Sequence, residues 1–89
     1  MTETNIKTEN ISTDENAVLH KLILFNSNHI WDDVVNQLRK ATGYNIIQCE
    51  QIAIIAHTKG KAVVSTGDIP KLNYINSVLK EIKLVTEIS

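Results

Sequence analysis

This 89-residue chain lacks most of the features that mark secreted, membrane-bound or disulfide-stabilised proteins. Its single cysteine, Cys49, excludes an intramolecular disulfide. No apolar run approaches the roughly 20 residues that span a bilayer, and no signal-peptide pattern precedes the first apolar segment. An internal repeat is also absent. We therefore predict one small cytoplasmic domain that is independent of membranes. We also expect it to be a monomer.

The charges are unevenly distributed. Residues 1–16 carry four carboxylates and one lysine, a net charge of −3, and have no periodic apolar face. Such a composition is typical of disorder, so we predict a disordered tail over 1–16 and a folded domain over 17–89. The remaining eight Lys/Arg and six Asp/Glu do not cluster into the basic face that nucleic-acid binding needs.

The periodicity of the apolar residues predicts the order β-α-α-β-α-β. The segments are strands at 17–25, 61–66 and 84–88, and helices at 30–42, between 45 and 60, and from 68 to about 82. We place His20 and Lys21 where the first strand frays. Asn45 and Asp68 are predicted helix N-caps, and Gly43 and Gly60 predicted helix ends. The fold class is α+β, a three-stranded sheet with helices packed on one face.

Two helix surfaces carry further predictions. In the second helix, Ile54 and Ile55 adjoin the apolar face that includes Ile52, so we expect this helix to be well buried. In the first helix, the spacing of Trp31 favours a place in the core over a binding platform. Asp32 lies in the first turn, where a carboxylate is stabilised by the helix dipole.

Two polar signals lie at the ends of predicted elements. Asn26, Ser27 and Asn28 follow the first strand directly. The stretch 56–62, Ala-His-Thr-Lys-Gly-Lys-Ala, joins the second helix to the second strand and contains His57. Taken alone, Asn and Ser after a strand are turn residues that bond their own backbone, and a histidine ending a helix is a cation favoured by the dipole.

These two segments and the element order resemble the ClpS family of adaptors for the ClpAP-type protease, over roughly residues 18–88. Residues 24–28, Leu-Phe-Asn-Ser-Asn, stand at the family's Leu-x-Asn-Asp-Asp motif, and 56–62 at its Val-His-x-x-Gly-Lys-Ala motif. The short C-terminal part is similar to compact bacterial members. The resemblance implies an adaptor that binds substrates by a destabilising N-terminal residue, the N-degron, and delivers them to an AAA+ unfoldase of the ClpA or ClpC type.

The family binds the substrate's α-ammonium through its Asn, its second acidic residue and its His. By position, the resemblance assigns these roles to Asn26, Asn28 and His57. Ser27 and Asn28 replace the family's acidic pair, and the loop before the first helix is one residue short. Since Asn28 supplies an oxygen but no charge, we expect amine binding about tenfold weaker than with a carboxylate.

An adjoining pocket is expected to receive a bulky apolar N-terminal side chain, Leu, Phe, Tyr or Trp. The two alanines of the predicted wall leave room for it, and Trp31 partly fills that room. The predicted wall residues are Trp31, Val34, Ala53, Ala56 and Leu84.

Other functions remain alternatives. The same small α/β arrangement resembles the C-terminal domain of the ribosomal stalk protein, an interaction module without an amine pocket. A degenerate ClpS-like protein would also dock without selecting N-degrons. We predict no enzyme activity, cofactor or metal, because the sequence has no nucleophile–base pair, no cofactor fingerprint and no metal-ligand spacing among its histidines.

Overall fold

The computed structural model describes residues 19–89 of the chain. The elements are β1 (His20–Phe25), α1 (Trp31–Thr42), α2 (Ile46–Lys59), β2 (Lys61–Gly67), α3 (Ile69–Leu79), a 3-10 helix (Lys80–Ile82) and β3 (Thr86–Ile88). The predicted α+β class and element order are confirmed, while the 3-10 helix was not predicted. The predicted tail, 1–16, and the start of the first predicted strand, 17–18, lie outside the described residues.

The sheet is antiparallel, with β1 in the centre of the order β2-β1-β3. Leu22 and Leu24 point to the buried face of β1. His20 and Lys21, which we expected near the fraying start of this strand, are its first two residues, and both pair with the end of β2. The backbone of Lys21 also exchanges two hydrogen bonds with Ser89, at 3.1 and 2.9 Å, which help to hold this polar start in place.

A β-bulge interrupts the pairing of β1 with β2. Leu22 lies opposite Ser65 and Ile23 opposite Val63, so Val64 is the extra residue. Val64 and Ser65 are both buried. A residue in a bulge is left without a ladder partner, and here the Val64 carbonyl accepts a hydrogen bond of 3.0 Å from the Tyr44 hydroxyl.

The helices cover one face of the sheet. α2 and α3 contact the strands, and α1 packs across both helices. Within residues 19–89 no helix combines the length and apolarity needed to cross a membrane. Leucines supply most of the fully buried bulk of the core: Leu22, Leu24, Leu38, Leu72, Leu79 and Leu84.

The predicted helix ends are confirmed. The side chains of Asn45 and Asp68 each accept a backbone N–H three residues further on, at 2.8 and 3.1 Å. Gly43 at φ 77° and Gly60 at φ 91° cap the C-termini of α1 and α2 in the left-handed region. An L-residue with a side chain is strained there, so both turns depend on glycine.

Two burial predictions are wrong. The side chains of Ile54 and Ile55 are 49% and 45% exposed, because α2 contacts the sheet and α1 through the side that carries Cys49, Ile52, Ala53 and Ala56 and leaves its outer side open. Trp31 is 39% exposed and lies at the rim of a pocket rather than in the core. Residues at the first turn of a helix have fewer neighbours than those in its middle, which explains this position.

Candidate functional site

A pocket of about 380 Å³ lies where β1 ends, between α1 and α2. This volume falls in the range of roughly 300–1,000 Å³ that is usual for ligand pockets. All the site residues expected from the sequence line it: the polar Asn26, Asn28 and His57, and the apolar Trp31, Val34, Ala53, Ala56 and Leu84. The structure thus brings them together, and their role in binding stays a prediction.

Backbone hydrogen bonds fix the end of β1 at the pocket. The Phe25 N–H donates to the carbonyl of Val85 at 2.9 Å, and the Asn26 N–H donates to the carbonyl of Gly60 at 3.0 Å. The Ser27 N–H in turn donates to Oδ1 of Asn26 at 3.0 Å. These bonds hold Asn26 beside the C-terminal cap of α2 and orient its side-chain carbonyl, which keeps one lone pair for a ligand.

His57 reaches the same pocket from the last turn of α2. Its ring is exposed, whereas Ala53 and Ala56 on the same helix are buried. No hydrogen bond joins the His57 ring or the Asn28 side chain to another residue of the described part, 19–89. Their polar atoms are therefore available to a molecule that enters the pocket.

His29 is a pocket residue that the sequence analysis did not single out. Its Nδ1 lies 2.7 Å from the Ser27 hydroxyl, and its Nε2 lies 2.5 Å from the carbonyl oxygen of Ile82. Because a carbonyl only accepts, Nε2 carries the proton and donates, and in the neutral ring Nδ1 accepts from Ser27. No local sequence signal predicts the contact between His29 and Ile82, which are 53 residues apart in the chain.

The pocket lining contains no carboxylate. Asp32 and Asp33 lie in the first turn of α1, but they are exposed and do not line the pocket. The available side-chain acceptors are therefore the two asparagine amides and, in its neutral form, the His57 ring, and none of them carries a negative charge. Such a site offers several neutral hydrogen bonds of about 1 kcal/mol each to a donor group.

The apolar residues of the pocket lining differ in how deeply they are buried. Ala53, Ala56 and Leu84 are 5%, 4% and 1% exposed and belong to the core. Val34 is half-buried, and Trp31 is exposed enough to stand at the rim. An apolar floor beneath polar rim groups suits a ligand that joins a hydrogen-bond donor to a hydrophobic side chain.

Comparisons with known proteins agree with this fold. The family model of the ATP-dependent Clp protease adaptor protein ClpS matches residues 15–82. The solved structure of Agrobacterium tumefaciens ClpS2 bound to L-phenylalaninamide superposes with a TM-score of 0.71 at 18% identity, covering 80% of this chain and 96% of that one. At this identity the superposition supports the fold alone. No curated protein sequence matches the chain. Because the family model covers most of its length, the chain belongs to the ClpS family of ATP-dependent Clp protease adaptor proteins.

Proposed function

We propose that this chain is a non-enzymatic adaptor that binds N-degron substrates by their free N-terminal residue and delivers them to a ClpA- or ClpC-type unfoldase. The observation that carries the proposal is the pocket itself. It combines three ligand-accessible polar side chains, Asn26, Asn28 and His57, with a buried apolar floor. One N-terminal residue supplies groups that match both parts.

The α-ammonium of a substrate matches the polar part. It has three N–H donors, and Asn26, Asn28 and His57 each offer an acceptor atom, with His57 in its neutral form. The hydrogen bond from the Ser27 N–H holds the side-chain oxygen Oδ1 of Asn26 in place before the ligand arrives, so binding loses little side-chain entropy there.

The N-terminal side chain matches the apolar part. Ala53 and Ala56 leave space above the core, and Leu84 closes the floor. The Agrobacterium relative was solved with L-phenylalaninamide, a molecule that joins a free α-amine to a benzyl group. We propose that this chain likewise accepts bulky apolar N-terminal residues, Leu, Phe, Tyr or Trp.

Fluorescence-anisotropy titration with peptides that differ only at the first residue tests the proposal. Peptides starting with Leu or Phe should bind more tightly than those starting with Ala or Ser, and N-acetylation should abolish the difference. His57→Ala should weaken binding about fivefold or more, since one acceptor is lost. His20→Ala is the matched control, because His20 is outside the pocket lining. Equal affinity for Leu, Ala and acetylated peptides would overturn the proposal.

Delivery needs a second test. The predicted tail, 1–16, is the segment that we propose the unfoldase engages. Deleting it should leave peptide affinity unchanged while stopping degradation of a Leu-starting reporter by the unfoldase and its peptidase. Undiminished degradation would contradict this role for the tail.

A specific observation also favours a second candidate, a ClpS-like adaptor that docks without N-degron selectivity. The lining has no anion to neutralise an ammonium group, and the Ser27 hydroxyl already bonds to His29. This candidate predicts that all the N-terminal peptides bind equally weakly while the unfoldase still binds the adaptor.

A further inference from the structure

We propose that His29 is a positioning residue that holds the ligand-binding loop, 26–30, in the conformation in which Asn26 and Asn28 line the pocket, by bridging the loop to the 3-10 helix. The inference rests on the proposed function, because the loop it positions carries Asn26 and Asn28. His29 joins two segments that are 53 residues apart in the chain.

The loop is held by backbone hydrogen bonds at both of its ends. The Asn26 N–H donates to the Gly60 carbonyl at 3.0 Å, and the Ile30 carbonyl accepts the Val34 N–H at 3.1 Å. The side chain of Ile30 makes no capping bond. Between these two ends, the His29 bond to Ile82 is the side-chain hydrogen bond that leaves the loop within residues 19–89.

The far end of the bridge is a firm anchor. Ile82 ends the 3-10 helix, where the last carbonyls lack partners inside the helix, and its oxygen accepts the His29 Nε2–H. Glu81, the neighbouring residue, accepts hydrogen bonds from Lys40 at 2.7 Å and Gln37 at 3.2 Å on α1. The loop is thereby coupled through the 3-10 helix to the body of α1.

The near end of the bridge is a hydrogen bond within the loop, to Ser27. With Nε2 protonated, Nδ1 of the neutral ring accepts from the Ser27 hydroxyl at 2.7 Å. The Ser27 N–H meanwhile donates to the side-chain oxygen Oδ1 of Asn26. Ser27 therefore links the His29 ring to the orientation of the Asn26 side chain, and its hydroxyl serves the loop rather than the ligand.

Two conservative variants separate the two halves of the bridge. A glutamine amide nitrogen reaches the position of His Nε2, whereas an asparagine side chain reaches only the position of Nδ1. His29→Gln should therefore keep the Ile82 bond and near-wild-type peptide affinity. His29→Asn and His29→Ala should lose that bond and bind Leu- and Phe-starting peptides about five- to tenfold more weakly.

The ratio of affinities distinguishes positioning from direct contact. If His29 acts through the loop, its removal lets the amine-binding residues of the loop move. Both peptides use those residues, so both should lose affinity by the same factor. A change in the Leu-to-Phe ratio in His29→Ala would instead mark His29 as a wall of the side-chain pocket and overturn the proposal. Wild-type affinity in His29→Ala would overturn it too.

A ligand-free measurement keeps this inference separate from the proposed function. Amide hydrogen exchange of Ser27, whose N–H donates to Oδ1 of Asn26 within the loop, should accelerate several-fold in His29→Ala and stay near wild type in His29→Gln when followed by NMR. Amides in β2 should exchange unchanged in both, which controls for global unfolding. The ¹⁵N shifts of the His29 ring should report the Nε2–H tautomer. Unaltered amide exchange in the loop of His29→Ala would overturn the proposed role of His29, even if peptides bind. If no peptide binds the wild type, the proposed function fails, and the exchange measurement still tests the role of His29.

Discussion

The backbone N–H of Asn26 donates to the carbonyl of Gly60 at 3.0 Å, joining the end of β1 to the C-terminal cap of α2. This bond follows directly on the β1–β2 pairing, in which Phe25 lies opposite Lys61, and together they hold the two polar segments, 26–28 and 56–60, at the same pocket. The Gly60 carbonyl keeps its direction because the residue is in the left-handed region, at φ 91°.

Gly60→Ala should therefore impair both stability and binding. A Cβ at Gly60 meets nothing within 4 Å, so the cost comes from backbone strain, about 1–2 kcal/mol of the free energy of unfolding. Relaxation of that strain turns the carbonyl from Asn26, and peptide affinity should fall several-fold. Gly43→Ala is the matched control: its φ is 77° and its space is equally open, but it lies at the other helix. Urea unfolding and anisotropy titration should show similar destabilisation for both variants and weaker binding for Gly60→Ala alone.

Asn28→Asp should strengthen amine binding about tenfold, because a charge-assisted hydrogen bond contributes roughly 1.5–3 kcal/mol against about 1 for a neutral one. The gain should shrink as salt rises from low to high concentration, since exposed charges are screened. Asn73→Asp, on an exposed part of α3 outside the pocket lining, controls for net charge. Unchanged affinity in Asn28→Asp would mean that position 28 does not face the ligand amine.

Trp31→Ala should change selectivity more than stability. The indole stands at the rim and is 39% exposed, so its loss enlarges the pocket without opening a sealed core cavity. Peptides starting with Trp or Phe should gain relative to Leu in the anisotropy titration. Ile30→Ala is the control, because Ile30 is 69% exposed and lies outside the pocket lining. This variant should keep the wild-type ranking of the peptide affinities. A uniform loss for all peptides in Trp31→Ala would indicate a structural role instead.

The hydrogen bonds that the Glu81 carboxylate accepts predict that the stability of the protein depends on pH. Hydrogen bonds from Lys40 first and Gln37 second hold the pKa of the Glu81 carboxyl below its ordinary value. A carboxyl whose pKa is lower in the folded state stabilises the protein above its unfolded pKa, near 4.5, and that contribution is lost as the pH falls through the lower folded value.

Glu81→Gln should accordingly reduce the free energy of unfolding at neutral pH and flatten its fall under acid conditions. Urea denaturation between neutral and acidic pH measures both effects. Glu87→Gln is a suitable control, because Glu87 is exposed on β3 and forms no ion pair within residues 19–89. Parallel pH profiles for wild type and Glu81→Gln would contradict the assigned role.

Local sequence patterns were sufficient to predict the helices and strands and the residues at which the helices end. Asn45 and Gly60 bracket α2 as their capping chemistry predicts, because a cap depends on atoms within a few residues. The burial of individual side chains could be predicted less well. Ile54 and Ile55 look like core residues in a helical pattern, yet the number of neighbouring elements around α2 decides their exposure.

The bulge at Val64 and the burial of Gln37 show the same limit. The register shift depends on the partner strand. Gln37 is only 9% exposed because α1 packs against α3, and its buried amide donates to the Val78 carbonyl on α3 at 2.6 Å. Neither feature has a signature in the residues next to it.

The sequence by itself determined the α+β order, the helix caps and the polar motifs at 26–28 and 56–62, since each depends on short-range periodicity or on atoms close in the chain. Only the tertiary structure decided that these motifs share one pocket without a carboxylate, and that His29 is bonded to Ile82. Such relationships depend on the packing of helices across the sheet, which brings together side chains separated by dozens of residues.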